Sequence, residues 1–115
     1  MAKFQYIFRG GAFVTPGLSP SEMQAHMAKW YSWASALIAT QHNLGGQPLQ
    51  TAGATLRGRA AVMTDGPYAE SKDLVTGNML IEADTLSAAT ELARGCPVFE
   101  FDGSVEIRPI LERDS

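Results

Sequence analysis

The run Ser19-Pro20-Ser21-Glu22 constrains this chain more than any other feature, because it writes a helix start into the sequence. Ser19 suits the N-cap, Pro20 the first helical position, and Glu22 can reach back to the cap amide to close a capping box. Downstream, Met23, Met27, Trp30, Ala34, Leu37 and Ile38 recur at spacings of three and four, which predicts one apolar stripe on a helix running to about Gln41. A stripe of that width must be buried against something apolar. The candidate lies just upstream, where Phe4, Tyr6 and Phe8 alternate with Gln5, Ile7 and Arg9 until Gly10-Gly11 interrupts them. Period two over this length predicts a strand with one apolar face.

The rest of the chain repeats this pattern. Gly45-Gly46 and Pro48 are expected to close off the helix, and the stretch from about Thr51 to Thr64 suggests two short strands turning near Arg57-Gly58-Arg59. Asp65-Gly66-Pro67-Tyr68 reads as loop chemistry. Asn78 to Ala83 predicts a strand with Met79 and Ile81 on one side and Asn78, Leu80 and Glu82 on the other. Asp84 or Thr85 then offers an N-cap for a helix over Leu86 to Arg94, stopped by Gly95 and Pro97, and Val105 to Ile110 alternates as a last strand. The order strand, helix, strand, strand, helix, strand predicts an α+β fold, the ferredoxin-like split βαβ arrangement with an antiparallel sheet. Both helices then cover one sheet face. A second copy packed face to face across a two-fold would cover the other, giving a dimeric α/β barrel with a lined cavity.

Size and composition narrow the remaining classes. With 115 residues and 45% apolar content, residues 1–115 are expected to form one domain with a modest core, and self-assembly into a homodimer is a natural expectation. A net charge of −3 with scattered basic residues argues against nucleic acid as a partner, and no apolar run approaches the roughly 20 residues of a membrane span. The start of the chain carries no signal-peptide-like apolar block and Cys96 is the sole cysteine, so a cytoplasmic location is expected. His26 and His42 lack local His or Cys partners, which predicts no metal. Neither a nucleophile elbow nor a phosphate loop occurs, and no cofactor is expected.

The segments Thr64-Asp65-Gly66-Pro67-Tyr68-Ala69-Glu70-Ser71-Lys72, Gly77 to Ala83 and Gly103 to Pro109 resemble the YCII-related family, in particular its branch named for an Asp-Gly-Pro-Phe (DGPF) motif, with Tyr68 replacing the Phe. Phe8-Arg9-Gly10-Gly11, Met23-Gln24-Ala25-His26-Met27 and Gly95-Cys96-Pro97 extend the likeness over nearly the whole chain. The resemblance implies a ferredoxin-like protomer in a dimeric barrel. It leaves two roles open. One is a small-molecule-binding protein acting as a cofactor-free, lyase-like acid/base enzyme, as in a dehydrochlorinase relative that uses a histidine and an aspartate. The other is a non-catalytic regulatory or ligand-sensing module associated with a sigma factor.

His26 is the first candidate for chemistry, because an imidazole moves a proton readily near neutral pH. It matches the family's helix histidine, which the resemblance pairs with an aspartate before the glycine that opens a later strand, and here Asp73 takes that place ahead of Gly77. The competing reading is a surface or core-edge histidine on a second stripe of the helix, with Trp30 and Trp33. Asp65 and Tyr68 could display polar groups from a tight turn, with Lys72 as a further donor, or could merely serve the turn. Arg9, Glu82, Glu106 and Arg108 alternate with apolar strand residues, and although alternation by itself does not assign the face, their placement opposite Phe8, Met79, Val105 and Ile107 argues for the one away from the helices. There they could hold a small anionic organic ligand or act only as solubility residues.

Overall fold

The computed structural model describes residues 1–66 and 71–111. Strand β1 (Ala2–Arg9) buries Phe4, Tyr6 and Phe8 and turns the residues between them to the opposite face. Helix α1 (Pro20–Ala39) begins on the capping box: Ser19 Oγ accepts from the Glu22 amide at 3.1 Å, and Glu22 Oε1 accepts from the Ser19 amide at 3.2 Å. The helix is buried most deeply at His26, which lies outside the expected stripe, and at Leu37 within it, whereas the stripe residues Met27 and Ile38 remain exposed.

Strand β2 (Asn43–Pro48) follows directly, where Gly45-Gly46 and Pro48 had suggested only a helix stop. Next come β3 (Ala54–Arg57) and β4 (Val62–Asp65), then β5 (Val75–Ala83), α2 (Leu86–Ala93) and β6 (Ser104–Pro109). The main sheet has the order β2-β5-β1-β6, antiparallel at each of its three pairings. Each helix therefore connects two strands that have a third lying between them, which is the split βαβ of a ferredoxin-like fold.

The two short strands expected between Thr51 and Thr64 do form, but they pair only with each other, as a hairpin outside the main sheet. The second strand of the main sheet is β2 instead. It has no β-branched residue, and its place is explained by closeness to β5. A Cβ on Gly46 would lie 2.1 Å from the Asn78 carbonyl oxygen, so glycine lets the two backbones meet. On the hairpin, Leu56, Val62 and Met63 are about three-fifths exposed. The radius of gyration, 15.7 Å against the roughly 13 Å of a compact chain of this length, fits a hairpin that stands away from the core.

Both helices cover the face carrying Phe4, Tyr6, Phe8, Met79, Ile81 and Ala83. The Tyr6 ring stacks on Trp33 with centroids 6.3 Å apart, and its buried hydroxyl donates to the Ala89 carbonyl of α2. Trp33 Nε1 in turn donates to the Leu92 carbonyl at 3.3 Å, tying α1 to α2. Gln5, Ile7, Leu80 and Glu106 alternate with these core residues on the other face, half buried, and among the described residues no helix covers them. No helix among the described residues is long and apolar enough to cross a membrane.

Candidate functional site

The fold leaves a cleft of about 310 Å³ where α1 passes over the β2–β5 edge of the sheet. Phe8 and Met79 form its floor, Met27, Trp30 and Ile38 line it from α1, and the Gly45-Gly46 backbone lines it from β2. The two stripe residues left exposed, Met27 and Ile38, are thus part of its wall. Asn43, Gln47, Thr76 and Asn78 add polar groups, and His26 is the one titratable side chain among the described lining residues. A volume equal to roughly ten waters suits a molecule about the size of a single substituted ring.

His26 is 1% exposed, and both of its ring nitrogens are engaged. Nδ1 lies 3.1 Å from Glu100 Oε1, and Nε2 lies 2.9 Å from Trp30 Nε1. An indole N–H can only donate, so Nε2 must accept and the neutral ring carries its proton on Nδ1, donating to Glu100. Phe101 meets the imidazole edge to face at 4.8 Å.

Glu100 is delivered by a 3₁₀ turn over Pro97–Phe101, which is closed by left-handed Asp102 and a hydrogen bond from the Gly103 amide to the Val98 carbonyl at 2.9 Å. Its second carboxylate oxygen accepts from Lys29 Nζ, one helical turn along from His26. The Lys29 hydrogen bond first, and that of His26 second, hold the Glu100 carboxyl below the usual carboxylate range. Lys29, Glu100, His26 and Trp30 are thus linked in a row that ends in the cleft wall.

The other candidates lie elsewhere. Asp73 ends the short turn Ser71–Asp73 and is exposed, whereas the carboxylate at the His26 ring is that of Glu100. Arg9 pairs with Glu106 on the face away from the helices, and Arg108 Nε reaches the same carboxylate at 3.7 Å while two-thirds exposed. Asp65 is exposed at the end of β4, and Tyr68 lies outside the described residues. Glu100 was missed by sequence reasoning because it lies 74 positions from His26. The one local hint was Pro97, a residue that can open a new turn as well as stop a helix.

A ferredoxin-like α+β scaffold with a helix-covered cleft and a single buried histidine is the class of protein defined by this geometry. A model of the YCII-related domain matches residues 13–114, and the chain belongs to that family. Among solved structures, it is similar to the 5-chloro-2-hydroxyhydroquinone dehydrochlorinase of Burkholderia phenoliruptrix AC1100 in complex with 2,5-dihydroxybenzoquinone. That likeness is at 16% identity and a TM-score of 0.46, over 97% of this chain and 93% of that one. A search of curated proteins returned no significant match.

Proposed function

We propose that the protein binds a small organic molecule in the α1–β2 cleft and acts on it by cofactor-free acid/base chemistry, with His26 as the proton-transferring group. The observation that carries this reading is the burial of His26 at the wall of an otherwise uncharged cleft, with a carboxylate behind it. In the forward step a ligand O–H or N–H gives its proton to Nε2. The positive charge that develops on the ring is then met by Glu100 at Nδ1. Glu100 takes the orienting role that the family resemblance suggested for Asp73.

The uncovered sheet face supports a homodimer as the working assembly, in which Arg9 and Arg108 would line the space between two sheets and could receive an anionic group. Protein-observed NMR titration with neutral and anionic single-ring compounds tests the binding half. Compounds that bind should shift the signals of Met27, Met79 and His26, and a panel in which none does so would refute the cleft as a binding site. For a substrate found in this way, His26→Ala should abolish turnover with the fold retained. Unchanged turnover would refute the catalytic half.

A further inference from the structure

We propose that Trp30 is a positioning residue that fixes the His26 tautomer and keeps its Nε2 lone pair occupied until a ligand bearing a hydrogen-bond donor takes the place of the indole N–H. This rests on the cleft reading above. His26 and Trp30 are one helical turn apart on α1, both line the cleft, and the hydrogen bond between them is 2.9 Å long. The opposite nitrogen is held by Glu100 at 3.1 Å, so the ring has no free polar atom in the ligand-free protein. A base whose lone pair is already spoken for is available only to a group that can offer an equivalent hydrogen. Of the described lining groups, the other polar ones are the side chains of Asn43, Gln47, Thr76 and Asn78, which carry no charge. The favoured ligand is therefore a neutral, largely apolar ring carrying a hydroxyl or N–H directed at Nε2.

Trp30 is also held in place independently of His26. Its ring meets Phe8 edge to face at 5.0 Å and Trp33 at 5.7 Å. Exchanging one hydrogen bond therefore does not require the aromatic cluster to come apart.

The first test uses the unaltered, ligand-free protein. Long-range ¹H–¹⁵N correlations at neutral pH should place the His26 proton on Nδ1 and leave Nε2 bare. A proton on Nε2 would overturn the role of Trp30 with the cleft reading intact, and this result does not depend on any variant folding. In Trp30→Phe, which keeps an aromatic ring and removes the donor, the Nε2 resonance should move toward that of an unbonded ring nitrogen. Phenol and toluene then serve as probes of equal shape with and without a donor. Phenol should move the Trp30 indole N–H signal toward that of an unbonded indole, whereas toluene should move it only by its ring current and leave the hydrogen bond in place. In Trp30→Phe the ratio of phenol to toluene affinity should rise about five-fold, since phenol no longer competes with the indole for a hydrogen bond of ordinary net strength. A merely structural role would leave that ratio unchanged, and an unchanged or lower ratio overturns the proposal. Failure of both probes to bind would overturn the cleft reading and the ligand half of this inference together.

Discussion

Replacing Tyr6 by Phe should make the protein less stable at neutral pH and more stable in strong alkali. Tyr6 is fully buried and its hydroxyl donates to the Ala89 carbonyl. Burial first, and the charge of a nearby Cys96 thiolate second, push its hydroxyl from 10.0 up to about 12. A group whose folded value is raised contributes stability that is fully present below its unfolded value and is lost as pH climbs through the folded one. The window here therefore runs from pH 10 to about 12, with a total loss of about 2 to 3 kcal/mol across it. At neutral pH the Phe variant forfeits a hydrogen bond worth about 1 kcal/mol, but it carries no ionisable group at this site and escapes the alkaline loss. The two stability curves should cross near pH 11, which is about where the linkage loss equals the value of the hydrogen bond. Urea unfolding followed by circular dichroism at a series of pH values measures both curves. Other tyrosines and the lysines titrate alike in the two proteins and cancel in the difference. Parallel curves from neutral pH to pH 12 would refute the assignment of Tyr6 as a buried, neutral donor.

Gly46→Ala should drive a methyl group into the Asn78 carbonyl and loosen the β2 edge, costing at least about 2 kcal/mol. Hydrogen exchange at the Leu49 amide, which donates to Thr76 O at 2.9 Å, should quicken accordingly, and unchanged exchange and midpoint would contradict it. Burial pushes the Cys96 thiol up to about 12, so iodoacetamide at mildly alkaline pH should label the folded protein on the order of a hundredfold or more slower than the urea-unfolded chain. Comparable rates would mean that the thiol is not enclosed. The Glu100 carboxyl should titrate below the ordinary glutamate range in a carbon-detected NMR experiment, and Lys29→Ala should raise its midpoint. The stability linked to this lowered group is present above the ordinary glutamate value and is lost as pH falls through the folded one. An unmoved midpoint in Lys29→Ala would assign the effect to other neighbours.

What could be read from the sequence and what could not divides by the range over which each feature is determined. The capping box at Ser19 and Glu22, and the alternation of Phe4, Tyr6 and Phe8, are decided by residues two to four positions apart, and both appear in the structure as expected. β2 is different. Asn43-Leu44-Gly45-Gly46-Gln47-Pro48 has the local character of a loop, and it is a strand only because β5 lies beside it with no room for a Cβ at Gly46. Propensity yields to tertiary contact there. The hairpin shows the reverse: β3 and β4 were legible as strands, but their separation from the main sheet was not, because pairing partners are not written in periodicity.

The candidate site follows the same rule. His26 was visible as a helix histidine with Trp30 one turn later, since both facts are local to α1, but its complete burial was not, because it lies beside the apolar stripe rather than in it. Glu100 was invisible, because the residue that meets Nδ1 is chosen by how a 3₁₀ turn after α2 packs back against the start of α1. Linear order favoured Asp73, the carboxylate the family pattern suggested ahead of Gly77. Charge adds a physical reason why a partner drawn from that turn can serve. Lys29, on the same helix as His26, accompanies the carboxylate and keeps it ionised, so the histidine gains an acceptor whose charge is already compensated at the protein surface. The acid/base reading therefore depends less on which carboxylate the chain supplies than on α1 carrying histidine, lysine and tryptophan within two turns, one to accept the proton, one to hold the carboxylate and one to hold the tautomer.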